Sequence, residues 1–242
     1  MRLLVRSWNV YHGRTHPQSE RLHLGEMIRL VSADAPDVVA LQEVPMWAVG
    51  RLERWSGMRT AWAMTMPARL GPLARRLTDI DPVRLRSSLT GQANALLVNP
   101  HFEHGRHRRL VLNPGLRRTD WLFRGEQRRV CHSLEVRANG EWIVLANLHA
   151  SNDPDLSLVT GEIARAVAFL DGSGPCVLCG DFNVPRHAVP GFSEPIEGVD
   201  QILVRGLELE RGPEPWLEER HSVAAGVLSD HAPVEAVVAS TS

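Results

Sequence analysis

Short apolar runs alternate with stretches of helical periodicity along the chain. The run at residues 3–8 alternates and stops near Asn9, which predicts a strand that ends there. Apolar residues then recur mostly at helical spacing over about 19–31, and a proline soon follows, so we expect a helix. The segment DVVALQEV is typical of a buried strand and ends at Glu43. The chain therefore opens as strand, helix, strand.

The rest of the chain continues this mixture. A second helical pattern covers roughly 157–170, and Asn139-Gly140 is a strong hairpin signal. Residues 45–90 are less regular, and we expect a helix and a long surface excursion there. Hairpins mixed with strand-helix-strand units predict two mixed sheets packed face to face and covered by helices. The remaining predicted strands are 93–98, 129–136, 141–149, 176–181, 199–204 and 233–239.

Composition sets broad limits on this α/β picture. The 242 residues are 43% hydrophobic, which is enough for one substantial core, and we expect a single domain over 1–242. The formal net charge of −1 gives no global field that would hold a polyanion, so a nucleic-acid site would be a local patch. All 27 basic residues are Arg, which suits phosphate recognition but also follows from a GC-rich genome.

The cysteines and the apolar segments bear on location. Three cysteines are an odd number, and we expect free thiols in a reducing compartment. The N-terminal apolar run is too short for an export signal, and no run of eighteen apolar residues occurs. We therefore expect a soluble, cytoplasmic protein with no stable membrane insertion and no obvious protein partner.

Cys176 and Cys179 form a lone C-x-x-C, a weak zinc signal, and we expect both to be buried apolar residues.

Polar side chains stand at the ends of several predicted strands. Such residues have fixed backbones and side chains at the rim of a sheet, so separate segments can converge on one site. Seven of them lie at or just past a strand end or just before the last strand: Asn9, Glu43, His149, Asp181, Asn183 and the pair Asp230-His231. Taken singly, Gly-Asp-x-Asn is more often a turn, and a lone Asn or Glu is more often a strand end or a helix cap.

The residue types fit together chemically. Glu43 and Asn9 offer hard oxygen donors suited to Mg²⁺ or Mn²⁺. Histidines can contact or protonate phosphate oxygens near neutral pH. Asp181 can orient and deprotonate a water molecule, and Asp200 or Asp230 can fix and charge a histidine. This set describes metal-assisted attack of water on a phosphate ester.

Six motifs in order resemble one known family. SWNVYHGR, ALQEV, NLHAS, LCGDFNV, GVDQILV and SDHAPV run from residue 7 to 234. Together they are similar to the endonuclease/exonuclease/phosphatase superfamily, which includes pancreatic deoxyribonuclease and inositol-polyphosphate phosphatases. The resemblance implies a four-layered α/β sandwich of two mixed β-sheets flanked by helices, with the site at one edge. It also implies a phosphoesterase that depends on Mg²⁺ or Mn²⁺.

The resemblance assigns roles residue by residue. Asn9 and Glu43 would bind the divalent metal, and Asp230 would lie near the metal or the nucleophile. His149 would contact the scissile phosphate.

The other residues of the motifs would carry the proton transfers. Asp181 would activate water, while Asn183 steadies the phosphate or the nucleophile. His231 would stabilise developing charge or act as an acid, with Asp200 as its orienting partner.

Substrate contacts are expected from five further residues: Arg14, Gln92, Asn94, Arg128 and Arg129. Gln92 stands where the family often has an acidic residue paired with the histidine at 149, so we expect His149 to be less protonated here. Arg128 or Arg129 resembles a family Arg that approaches the site. The Arg-rich run at 101–129 suits a nucleic acid, but a solvated hairpin is an equal alternative.

Departures from the family pattern narrow the function. Val44-Pro45 follows Glu43, where apurinic-site endonucleases usually carry a Lys, so a repair activity is disfavoured. The leading hypothesis is a phosphodiesterase or nuclease acting on DNA or RNA. One alternative is a phosphatase or phosphodiesterase of a small or lipid phosphate ester. Another is a binding protein of the same fold that has lost catalysis.

Overall fold

The predicted alternation of strands and helices is present in the computed structural model, which describes residues 1–19, 21–67, 90–115, 127–172 and 174–241. Its helices are α1 (Leu24–Ser32), α2 (Met46–Val49), α3 (Leu52–Ser56) and α4 (Leu156–Leu170), with short 3-10 turns at Tyr11–Gly13 and Glu218–His221. Its strands are β1 (Arg2–Asn9), β2 (Thr15–His16), β3 (Val38–Pro45), β4 (Arg59–Met66), β5 (Gln92–Val98), β6 (Glu103–Val111), β7 (Val130–Ala138), β8 (Glu141–His149), β9 (Cys176–Asp181), β10 (Asp200–Arg205), β11 (Leu207–Pro215), β12 (Ser222–Val223), β13 (Gly226–Leu228) and β14 (Val234–Ser240).

Two large sheets organise these strands. One has the order β11-β14-β1-β3-β5-β4 and the other β10-β9-β8-β7-β6, while β12, β13 and β2 form a small third sheet. Each large sheet contains one parallel pair, β1 with β3 and β8 with β9, and its other pairs are antiparallel. A helix connects the strands of each parallel pair, as parallel pairing requires a crossover. Both sheets are therefore mixed.

Three apolar clusters place the sheets and helices in layers. One cluster fills the space between the two large sheets, with Val5 from the first sheet and Leu145 from the second. A second lies between α1 and the outer face of the first sheet, and a third between α4 and the outer face of the second. The four-layered α/β sandwich expected from the sequence is thus confirmed.

Strand β9 shows how one segment serves two of these clusters. Cys176 belongs to the cluster under α4, whereas Cys179 belongs to the cluster between the sheets. Residues three apart on a strand face opposite sides, so the two thiols point away from each other. Both are buried and free, and burial raises the pKa of Cys176 to about 12. The pair is part of the core, as predicted.

The strands with weak apolar patterns were not predicted. β6 and β11 lie at sheet edges, and their side chains are mostly polar and at least partly exposed. An edge strand with a solvated face carries little hydrophobic alternation. β4 is likewise an edge strand, and it lies within the segment expected to hold a helix and a surface excursion. The remainder of that segment, 68–89, lies outside the described residues.

Candidate active site

The space between the two large sheets is apolar along most of its length and polar at one rim. On β9 the inward-facing residues are Val177 and Cys179, followed by Asp181. On β8 Leu145 is followed on the same face by Asn147 and His149. Because side chains repeat every second residue on a strand, each strand brings a polar group to the same end of the sandwich.

A buried polar layer joins the sheets beneath this rim. The Asn147 side-chain amide donates to the carbonyls of Leu41 and Ala95, at 2.9 Å each, and so links β8 to β3 and β5. The Gln42 amide donates to Asn147 Oδ1 at 2.8 Å. Both side chains are fully buried. Hydrogen bonds of this kind fix the separation of the sheets where the site lies.

Asp181 lies at the centre of the rim and is held from two sides. Asn9 Nδ2 donates to Asp181 Oδ2 at 3.1 Å, and the Asn183 backbone amide donates to Asp181 Oδ1 at 3.0 Å. The Tyr11 backbone amide donates to Asn9 Oδ1 at 3.1 Å, so both ends of the Asn9 amide have a partner that fixes its orientation. The Asn183 side chain turns back to the Ala150 carbonyl at 3.0 Å.

The close approach of β8 and β9 depends on Gly180, the residue before Asp181. Gly180 has φ +146, and a Cβ at this position would overlap the carbonyl of Leu148. Only glycine combines this backbone conformation with such close contact. The Gly-Asp step of LCGDFNV thus sets Asp181 directly beside the end of β8.

His231 faces Asp181 from the loop before β14. Its Nδ1 lies 2.7 Å from Asp200 Oδ2, and its Nε2 lies 3.9 Å from Asp181 Oδ2. Burial lowers the pKa of His231, but the hydrogen bond and charge of Asp200 outweigh it and raise the pKa to about 9. Burial and the charge of Asp200 raise the pKa of Asp181 to about 7. Near neutral pH His231 is therefore charged, whereas Asp181 can both take up and release a proton.

The backbone around His231 is tied to the end of β1. Ser229 Oγ donates to the Asn9 carbonyl at 2.6 Å and accepts from the His231 backbone amide at 3.1 Å. Trp8 Nε1 donates to the His231 carbonyl at 2.8 Å. Asp230 is more exposed, and its Oδ1 lies 4.0 Å from His231 Nε2.

His149 differs from His231 in its charge. It is buried at the end of β8, with Nε2 3.6 Å from Asp181 Oδ2. Burial, together with the charge of Arg129, lowers the pKa of His149 to about 3. The low pKa agrees with the expectation that this histidine is less protonated. The cause is burial rather than a contact with Gln92, whose two amide atoms have no hydrogen-bond partner among the described residues.

Glu43 stands at the end of β3, beside the end of β1. Its φ of +58 coincides with a register shift in the pairing of β3 with β5. Its Oε2 lies 3.0 Å from Nε2 of His12. Burial opposes ionisation of Glu43, but His12 and then His149 and Arg129 lower its pKa to about 2. Glu43 is therefore a carboxylate at all physiological pH values.

The expected substrate residues lie at different depths. Arg128 is exposed and Arg129 half-buried, and both precede β7. Burial lowers the pKa of Arg129, while the charges of Glu162, Glu43 and Asp181 act in the opposite direction.

The other three expected substrate residues lie further from solvent. Arg14 is half-buried, and its carbonyl accepts from the Ser229 amide at 2.9 Å. Gln92 and Asn94 are buried between the sheets, where Asn94 Nδ2 donates to the Val130 carbonyl at 3.2 Å. The roles expected for them stay predictions.

Glu162 is a buried charged residue that the sequence did not single out. It lies on the inward stripe of α4 with Val159 and Ile163. Its carboxylate accepts from the Ser151 amide at 2.8 Å and from the Ser151 hydroxyl at 2.9 Å, which fixes the segment that follows His149. The helical spacing of 159, 162, 163 and 166 was the available signal, because it puts a carboxylate on the apolar face.

The donor atoms at the rim fit a divalent cation. Ligand atoms of Asp181, Asp200 and His231 all lie within 4.8 Å of one another, and because His231 is protonated near neutral pH, the donors in this group are the carboxylate oxygens. Asp200 Oδ1 is buried and has no hydrogen-bond partner among the described residues. The ionised Glu43 carboxylate adds a second group of hard oxygen donors. Carboxylate oxygens of this kind suit Mg²⁺ or Mn²⁺.

No helix in the described part of the chain is long and apolar enough to cross a membrane.

None of the curated protein sequences matches the chain at a significant level. Solved structures match the fold at low identity. An endonuclease/exonuclease/phosphatase from Beutenbergia cavernae DSM 12333 gives a TM-score of 0.69 at 16% identity, over 98% of this chain and 71% of that one.

Two further structures match over nearly their whole length. Humanized D. rerio TDP2 gives a TM-score of 0.66 at 14% identity, covering 98% of both chains. ANGEL2, a 2′,3′-cyclic phosphatase in complex with adenosine-2′,3′-vanadate, gives 0.67 at 14% identity, covering 98% of this chain and 95% of that one. The model of the Endonuclease/Exonuclease/phosphatase family matches residues 7–231. The chain belongs to the endonuclease/exonuclease/phosphatase family.

Proposed function

We propose that this protein is a divalent-metal-dependent phosphoesterase that hydrolyses phosphodiester bonds of DNA or RNA. Members of its family are phosphoesterases, and most depend on a divalent metal. The observation that carries the proposal is the convergence at one rim of two hydrogen-bonded pairs, Asn9 with Asp181 at 3.1 Å and Asp200 with His231 at 2.7 Å. These four residues come from distant parts of the sequence, and their chemistry suits transfer of a phosphoryl group to water.

Asp181 is the proposed general base. Its pKa of about 7 lets the carboxylate accept a proton from a water molecule near neutral pH, as a general base requires. The two hydrogen bonds from Asn9 and from the Asn183 amide fix the carboxylate in one orientation. Asn183, whose side chain is anchored on Ala150, would limit where the nucleophile or the phosphate can lie.

The two histidines have different proposed roles. His231, whose pKa is about 9, is protonated near neutral pH, so it can stabilise negative charge on the phosphate or give a proton to the leaving oxygen. Asp200 holds its ring through Nδ1 and leaves Nε2 facing the site. His149, whose pKa is about 3, is neutral and would act as a hydrogen-bond donor to a phosphate oxygen.

Asn9, Glu43 and Asp230 are the proposed ligands of Mg²⁺ or Mn²⁺. A bound ion of this kind supplies positive charge that offsets the charge of the phosphate oxygens. Glu43 is ionised and partly exposed, with a side-chain exposure of 18%, so it can reach an ion in the open rim. The side-chain oxygen Oδ1 of Asn9 already accepts from the Tyr11 backbone amide, and its second lone pair remains for a ligand.

The substrate class is argued from arginines. The charges of Glu43 and Asp181 act on the pKa of Arg129, and Arg128 and Arg14 lie in segments that flank the site residues in the sequence. In the Arg-rich run, Arg108 packs over the Phe169 ring at 4.4 Å and so belongs to the packing of α4. Part of that run, 116–126, lies outside the described residues. Arg128, Arg129 and Arg14 therefore support a phosphate-rich substrate, and a nucleic acid is the first class to test.

A small phosphate ester is the second candidate. The matched ANGEL2 structure is that of a 2′,3′-cyclic phosphatase, which makes a cyclic nucleotide a specific member of this class. A lipid phosphate ester belongs to the same alternative. An inactive binding protein is the third possibility, and it would be favoured if the purified protein bound neither Mg²⁺ nor Mn²⁺.

A substrate panel tests the proposal. The purified protein is incubated with Mg²⁺, Mn²⁺ or EDTA and with DNA, RNA, abasic DNA, a 2′,3′-cyclic nucleotide, phosphoinositides and aryl phosphates. We expect metal-dependent release of nucleotide products from DNA or RNA, with binding that weakens steeply as salt rises. Release of inorganic phosphate or opening of the cyclic ester alone would favour the second candidate. Hydrolysis that persists in EDTA would contradict the proposed mechanism.

A further inference from the structure

His12 is held against the proposed metal ligand Glu43. It lies in the 3-10 turn Tyr11–Gly13, directly after the end of β1, and only 12% of its side chain is exposed. Its Nε2 is 3.0 Å from Glu43 Oε2. The second ring nitrogen, Nδ1, is buried and has no hydrogen-bond partner among the described residues. Among the residues that the structure describes, the polar contact of this ring is therefore with the Glu43 carboxylate.

The contact has a defined direction. A carboxylate that binds a cation is ionised, so both oxygens of Glu43 can only accept hydrogen bonds when it acts as the proposed metal ligand. His12 Nε2 must therefore carry the hydrogen and donate it to Oε2.

The turn that carries His12 is fixed on all sides. Tyr11 and His12 have φ values of +45 and +56, which few side chains adopt without support. The Gly13 amide donates to the Val10 carbonyl at 2.7 Å, and the Gly13 carbonyl accepts from the His23 amide at 2.7 Å. A Cβ on Gly13 would overlap Leu24 at the start of α1. These contacts hold the strained backbone of the turn in one conformation, and so they fix the place from which the imidazole of His12 extends.

We propose that His12 is a positioning residue for the metal site, which donates a hydrogen bond to Glu43 and fixes its carboxylate in the orientation that would bind the ion. The inference rests on the proposed function, because it takes Glu43 to be a metal ligand. Residues that hydrogen-bond a metal-binding carboxylate typically raise metal affinity about 10- to 100-fold.

Binding of Mn²⁺ tests this inference without any substrate. Free Mn²⁺ gives a sharp electron paramagnetic resonance signal, and its loss on titration measures the dissociation constant. We expect His12→Ala to weaken Mn²⁺ binding by about 10- to 100-fold, because Glu43 loses its fixed orientation. We expect His12→Gln to bind within about threefold of the unaltered protein, because the Gln amide places a donor near the position of Nε2.

His23→Ala is the matched control. His23 is also buried and also contacts a carboxylate, Glu26, at 2.6 Å, but that pair lies at the start of α1. We expect this variant to bind Mn²⁺ as the unaltered protein does. Unfolding temperatures of all variants would show whether a loss of affinity reflects a loss of folding.

The outcomes distinguish an error about the role of His12 from an error about the metal site itself. Unchanged Mn²⁺ affinity in His12→Ala would overturn the inference. So would an affinity of His12→Gln as low as that of His12→Ala, because a donor role predicts rescue. Glu43→Gln tests the assumption that Glu43 is a metal ligand. If this variant binds Mn²⁺ as tightly as the unaltered protein, the proposed metal site itself is wrong.

Discussion

Replacement of Asp200 by Asn is a sharp test of the charge arrangement at the rim. Asn has the same shape as Asp and can still accept a hydrogen bond from His231 Nδ1, but it carries no charge. Asp200 supplies both the hydrogen bond and the largest opposite charge that raise the pKa of His231 to about 9, against the effect of burial. The same charge contributes to the raised pKa of Asp181. One substitution should therefore lower two pKa values.

The size of the effect follows from these contacts. The pKa of His231 lies about 2.5 above the ordinary value of 6.5, and Asp200 is the main cause of the increase. We expect Asp200→Asn to lower it by about 1 to 2, which is roughly 1.4 to 2.8 kcal/mol of lost stabilisation of the charged ring. His231 has 20% of its side chain exposed, so solvent screening leaves most of this interaction intact. The remaining increase belongs to Asp181 and Asp230.

Nuclear magnetic resonance titration of the histidine ring protons, in metal-free protein, measures this pKa directly. Asp230→Asn is the matched control: its carboxylate is 4.0 Å from Nε2 and 38% exposed, so we expect a smaller decrease. A pKa of His231 that stays within about 0.3 of the unaltered value in Asp200→Asn would refute the reasoning, because it would mean that the 2.7 Å contact does not set the charge of the ring.

Three further predictions concern stability. Asn147→Leu removes both hydrogen bonds to backbone carbonyls and the acceptor for Gln42, and urea unfolding should show a loss of about 2 to 4 kcal/mol. Gly180→Ala should lose more than about 3 kcal/mol because its Cβ overlaps backbone, whereas Gly140→Ala, with open space around it, should lose only about 1 to 2 kcal/mol. Burial opposes ionisation of Glu235, but Arg6 lowers its pKa overall. The stability that the ionised Glu235 contributes is therefore complete above the pKa of this residue in the unfolded chain, and it is lost as the pH falls below about 4. The urea midpoint of Glu235→Gln should therefore fall less between pH 6 and pH 3 than that of the unaltered protein.

The sequence predicted the rim well because each rim residue interrupts an apolar run. Asn9, Glu43, His149 and Asp181 each end or follow a strand whose preceding residues are buried, and the structure places all four at that end of the sandwich. The His231 contact with Asp200 came from the family resemblance, and the hydrogen bond is present at 2.7 Å. Its catalytic consequence stays a prediction.

Other features depend on contacts that no local pattern records. The hydrogen bond between Gln42 and Asn147 joins residues 105 positions apart, and neither residue interrupts its strand. The contact of His12 with Glu43 depends on the folded chain, which brings the turn after Asn9 beside the end of β3. The buried ion pair of Arg6 with Glu235 likewise joins β1 to β14 across the length of the chain. Tertiary pairing determines all three.

The most direct test of the account is the hydrolysis of the substrate panel by the unaltered protein and by Asp181→Asn, each with Mg²⁺, Mn²⁺ or EDTA. Asn keeps the shape of the side chain but cannot accept the proton of an attacking water. The account predicts metal-dependent hydrolysis by the unaltered protein, no hydrolysis in EDTA, and a rate lower by about 10² to 10⁴ in Asp181→Asn. An Asp181→Asn protein that hydrolyses the same substrate at the unaltered rate would contradict it.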